Sequence, residues 1–240
     1  TALLLCAWVI LAVHHQAGER SAASRLRRLV EESDRQWAIL GSAERLRRAV
    51  GLLEAMRTGL KEYDFPSHDF SLIAGRLRML IEMGGVGVYD GRGNYFLRGD
   101  VLVHAGSAGG VLALSKVLLH EGTHNVDSLQ PGWGGEYYRD PVKNALSEIN
   151  ALRNEAVWMD NLHSAFGSSL SWKTILVAYP STRDVLYGVD GIAGYGQSGM
   201  RGVVEVFRYR VFCRPAYDWQ YYGKKVDLDG ARTALKEFER

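Results

Sequence analysis

The segment Ser107 to Asn125 constrains the fold more than any other part of the chain. Val111, Leu112, Leu114, Val117, Leu118 and Leu119 leave no broad polar face, so a helix here is buried around most of its circumference and has to lie inside the protein. Yet this helix ends in His120-Glu121-Gly122-Thr123-His124, which carries three titratable side chains inward. Residues four apart differ by about 40° around a helix axis, so His120 and His124 leave from one face and their imidazoles can close on one metal ion. Glu121 lies about 100° from His120, near enough to meet a water held at such an ion without ligating it.

Zinc suits this donor set. It would lower the pKa of its water toward about 7 and polarise a carbonyl, with Glu121 as the general base that takes the water's proton and hands it to a leaving amine. A catalytic zinc takes three protein ligands and keeps one position open, so a third ligand has to come from elsewhere. The next helix, which Pro141 opens and which runs to about Phe166, offers Glu148 and Glu155. They are seven apart and share one face, with Asp160 and His163 further on. Ala151 is small enough to let this helix approach the motif helix closely. Asp127, one turn beyond His124, could orient a ligating imidazole through its free ring nitrogen or simply end the helix. Tyr137, Tyr138 and Tyr195 are candidates for oxyanion stabilisation, set against ordinary packing roles.

Around this centre the periodicity is mostly helical. Leu26, Leu29 and Val30, then Leu46, Val50 and Leu53, mark two amphipathic helices separated near Gly41 and Ser42. Phe70 to Met83 reads as a third, ended by Gly84 and Gly85. Val86 to Tyr89 and Tyr95 to Arg98 flank a glycine-containing turn and predict a strand pair, with Val101 to His104 as a further strand. Ser128 to Asp140 and Gly188 to Gly202 read as loops, with a helix near Ser171 to Ala178 and a terminal helix from about Leu228.

Composition excludes some partners. With 29 basic and 27 acidic residues in 240, and a formal charge of +2, there is no concentrated positive field for nucleic acid. Cys6 and Cys213 encode no disulfide framework. Thr1 to Val13 are uninterrupted apolar residues, too few to span a bilayer comfortably but fitting the core of a signal peptide or a short anchor; a buried helix is the competing reading. No Met or basic leader precedes them, so the chain is expected to be a fragment, either exported by a signal peptide or attached to a membrane through residues 1–13. The protein is accordingly placed among exported or membrane-associated proteins.

His120-Glu121-x-x-His124-x-x-Asp127 followed by Ser147-Glu148-Ile149-Asn150-Ala151 resembles the zincin metallopeptidases, in particular the mitochondrial inner-membrane ATP23-type peptidases. It is also similar to the wider gluzincin group, whose third ligand is a Glu on a downstream helix. The resemblance covers about Val86 to Asp160 and implies Glu148 as third zinc ligand beside His120 and His124, a peptide or protein substrate, and hydrolysis with Glu121 as catalytic base. Asn154-Glu155 with Asp160 resembles the ligand segment of thermolysin-like enzymes, which keeps Glu155 open as the alternative. Gly122 departs from the pattern, where an apolar residue is usual. The expected fold is α+β, a mostly helical zincin-like domain with a small β-sheet before the motif helix. Residues 1–16 are expected to be a truncated signal peptide or anchor, 17–64 an amphipathic helical region, and 65–240 the catalytic domain, with its core in 86–166. The competing function is a catalytically inactive zinc- or peptide-binding module on the same fold.

Overall fold

The computed structural model describes residues 2–56, 70–84, 87–89, 94–97, 101–103, 110–134 and 139–166, with Thr233 and Lys236. Five α-helices dominate them: α1 (Ala2–Gln36), α2 (Ser42–Ala55), α3 (Phe70–Glu82), α4 (Val111–Ser128) and α5 (Pro141–Phe166). Several of their ends have a visible cause. After α1 a single 3-10 turn, Trp37–Ile39, leads through extended Leu40 to Gly41, the N-cap of α2. Arg45 of α2 closes this corner, donating from Nε to the Trp37 carbonyl at 3.1 Å with its guanidinium 5.4 Å from the Trp37 ring centroid. Asp140 starts α5 by accepting the Lys143 backbone N–H on Oδ1 at 3.2 Å, ahead of a proline whose missing N–H is not needed there.

The apolar stripes meet around α4. Leu46, Ala49, Val50, Leu52 and Leu53 of α2 and Phe70, Ile73, Ala74, Leu77, Leu80 and Ile81 of α3 are buried with Leu114, Leu118 and Leu119 of α4. Leu26 and Val30 of α1, and Val157, Trp158 and Leu162 of α5, complete the same core. As the density of apolar residues required, α4 is the central element, packed against α1, α2, α3 and α5. Two glycines permit close approaches to it. A Cβ on Gly122 would stand 2.6 Å from Ile73 Cγ2 and 3.1 Å from Leu77 Cδ1, so α3 seats on α4 only where position 122 has no side chain. A Cβ on Gly110 would lie 2.5 Å from Asp34 Oδ1. That oxygen accepts the Val111 N–H at 3.2 Å, so α1 caps the first turn of α4 from 77 residues away.

The α+β expectation is corrected: the described residues are mostly helical. The helices run to 35, 14, 13, 18 and 26 residues. Against them stand strands of only three, four and three residues, β1 (Gly87–Tyr89), β2 (Asn94–Leu97) and β3 (Val101–Val103). They pair antiparallel in the order β1-β2-β3, with Val88 opposite Tyr95 and Phe96 opposite Leu102. Tyr95 and Leu97 are buried in the helical core, so this ribbon is an appendage to a helix bundle and makes no layer of its own.

α1 runs without a break through positions 16 and 17, and no helix among the described residues is long and apolar enough to cross a membrane. The expected helix at Ser171 to Ala178, the loop at Gly188 to Gly202, and Tyr137, Tyr138 and Tyr195 lie outside the described residues. Of the expected terminal helix, only Thr233 and Lys236 are described, and both are helical.

Candidate metal centre

α4 and α5 run antiparallel along a seam that is polar although it is buried. Trp158 Nε1 donates to Ser115 Oγ at 3.1 Å, and Asn154 Nδ2 donates to Thr123 Oγ1 at 2.8 Å. Ser147 Oγ donates to Asp127 Oδ2 at 2.7 Å. Each pair satisfies a group that would be costly to bury alone, so together they fix the register of one helix on the other. Ala151 at the middle of the seam is fully buried, where its small side chain leaves room for the motif helix.

That register brings His120, His124 and Glu148 together. The imidazoles lie edge to face, centroids 4.7 Å apart and planes at 86°, with Nε2 to Nε2 3.1 Å. Glu148 places Oε2 at 3.5 Å from His120 Nε2 and Oε1 at 3.5 Å from His124 Nε2. One ligand atom from each of the three residues lies within 4.8 Å of the others, and this His-His-Glu group could hold a metal ion. The two 3.5 Å approaches are to different oxygens of Glu148, so its carboxylate spans both Nε2 atoms.

Glu155 stands elsewhere. Its Oε1 is 2.9 Å from His120 Nδ1, behind the ring, and its Oε2 is 3.1 Å from Lys116 Nζ. The two glutamates that the sequence left in competition therefore occupy different stations, Glu148 with the Nε2 atoms and Glu155 against Nδ1. The side chains of Asp160 and His163 lie outside the described residues.

The hydrogen-bond inventory assigns the ring tautomers. Ser147 Oγ is 2.7 Å from His124 Nδ1 and spends its only hydrogen on Asp127, so it accepts from Nδ1–H. Asp127 also accepts from Gln130 Nε2 at 2.7 Å and from Asn150 Nδ2 at 3.2 Å. His120 Nδ1–H likewise donates to Glu155. In the neutral form of each ring, Nδ1 keeps the hydrogen and Nε2 is the nitrogen left to ligate an ion, the outer support expected of ligating histidines. Asp127 orients His124, as the sequence allowed, but through the Ser147 hydroxyl.

Carboxylates surround His124. Burial alone would lower the pKa of His124, but the charge and hydrogen bond of Glu148, with the charges of Glu121 and Asp127, outweigh it and push the value up to about 9. Glu121 itself is partly exposed beside this cluster.

Ser147 and Asn150 stood in the sequence only as part of a motif, without a role, and Lys116 was not singled out at all. Lys116 carried a usable signal, being the one charged residue in the apolar run that leads to the motif, four positions before His120. No protein family, curated protein or solved structure matches the chain, so the likeness to zincin peptidases rests on the motif residues alone.

Proposed function

We propose that the protein is a zinc-dependent metallopeptidase that hydrolyses peptide bonds, with His120, His124 and Glu148 as ligands and Glu121 as general base. The observation that carries this reading is the meeting of three donor groups, one ligand atom from each within 4.8 Å of the others, beside a glutamate that belongs to none of the three ligand positions. Zinc held there would supply Lewis acidity toward a peptide carbonyl and acidify water. Glu121, one residue along the helix from His120, takes the proton of the attacking water and returns it to the leaving amide nitrogen. Glu155 and the Ser147–Asp127 pair keep both imidazoles in the tautomer that ligation requires. The apolar run Thr1 to Val13 carries the accompanying proposal that the enzyme is exported or membrane-associated.

The test pairs metal content with hydrolysis. Purified protein is expected to retain about one zinc and to cleave unstructured polypeptide, and Glu121→Gln to retain the zinc while losing cleavage. Hydrolysis that survives in Glu121→Gln removes the general-base role. Zinc bound with no cleavage of a broad peptide panel by the wild type favours the inactive binding module instead.

A further inference from the structure

Behind His120 lies a buried ion pair that supplies no ligand. Lys116 is one turn before His120 on α4 and only 9% exposed, and Glu155 on α5 is 3% exposed. The two oxygens of Glu155 divide their work, with Oε2 at 3.1 Å from Lys116 Nζ and Oε1 at 2.9 Å from His120 Nδ1. Burying two charges costs about as much as their attraction returns, and apolar residues of similar volume often serve the fold as well or better. Stability alone therefore gives no account of why this pair is placed in the interior.

The metal centre does give one. A carboxylate drawn toward the Lys116 ammonium by charge on one side presents its other oxygen to His120 at hydrogen-bond distance, which orients the ring and keeps the proton on Nδ1. The lysine also cancels the charge of Glu155, so that orientation is gained without a further net negative charge beside Glu121, Glu148 and Asp127. The His124 arm is built differently, with the neutral Ser147 hydroxyl between the ring and Asp127. We infer that Lys116 and Glu155 are positioning residues of the metal site, Lys116 fixing the Glu155 carboxylate and Glu155 fixing the metal-binding tautomer of His120. This inference rests on the proposed metal centre.

The experiment is a titration of the metal-free chain with Zn2+ and with Co2+, for the wild type and for the double variant Lys116→Met/Glu155→Leu, alongside thermal unfolding of both metal-free forms. The double variant is expected to unfold at or above the wild-type temperature. Its affinity for both ions is expected to fall by about 10- to 100-fold, with the visible bands of bound Co2+ altered as one imidazole loosens. Unchanged affinity and an unchanged Co2+ spectrum in the double variant, with the wild type binding normally, overturn the inference and leave the metal centre standing. A wild type that binds neither ion overturns the metal centre and this inference with it. If the double variant does not fold, Glu155→Gln decides: it keeps the shape and an acceptor, a loss of about tenfold is expected, and none refutes the role.

Discussion

Replacing Gly122 with Ala tests whether α3 and α4 meet as described. The new Cβ would lie 2.6 Å from Ile73 Cγ2 and 3.1 Å from Leu77 Cδ1, closer than carbon atoms tolerate, and Ile73 Cγ2 is a branch methyl near the backbone that cannot swing clear cheaply. Overpacking of this kind costs about 1–3 kcal/mol, against which Ala gains about 1 kcal/mol over Gly in a helix interior. The expected net loss is about 1 kcal/mol. Gly51 and Gly75 provide the internal control, because a Cβ at either meets nothing within 4 Å. Each should therefore gain about 0.5–1 kcal/mol as Ala. Urea unfolding of the three metal-free variants under one set of conditions measures the contrast, and the separation between Gly122→Ala and the controls should be about 1–3 kcal/mol. A Gly122→Ala protein stabilised as much as Gly75→Ala would refute the close packing of α3 on the motif helix.

Other outcomes follow from the site and its supports. Ser147→Ala removes the link between Asp127 and His124, and should weaken zinc binding by about 10- to 100-fold in a competition titration while leaving the protein folded. Because the folded-state pKa of His124 is raised to about 9 from 6.5, its contribution to the stability of the metal-free protein is complete below pH 6.5 and lost as pH rises to about 9. Unfolding of wild type and His124→Gln across that window checks the sign, and parallel pH profiles would refute it. The same shift means that zinc binding at pH 7.5 should release about one proton from His124, measurable by calorimetry in buffers of different ionisation enthalpy. Asp34→Ala should cost about 1 kcal/mol by uncapping α4, read by chemical unfolding.

The parts of this protein legible in its sequence are those fixed by spacing within one helix. The apolar run before His120 identified a buried central helix, and the four-residue spacing of His120 and His124 placed both imidazoles on one face. What escaped was set by contacts between segments. Glu148 and Glu155 share a face of α5, so periodicity could not separate them. Their stations depend on the helix register that pairs such as Asn154 with Thr123 and Trp158 with Ser115 impose. Gly122 stood out only as a departure from a pattern, since the Ile73 and Leu77 side chains that require it belong to α3. The cap on α4 comes from Asp34, far back in the chain. The class was misjudged because alternation around a glycine turn marks strands without saying how far they extend, and among the described residues three short strands do not offset five helices.

The central claim is that His120, His124 and Glu148 hold zinc, and anomalous X-ray diffraction at the zinc edge from crystals of the zinc-loaded protein tests it most directly. The account predicts one zinc with both Nε2 atoms at about 2.0–2.1 Å and a Glu148 oxygen at about 2.0–2.2 Å, while Glu155 remains hydrogen-bonded to His120 Nδ1. Zinc ligated by Glu155 in place of Glu148, or bound away from the two histidines, would contradict it.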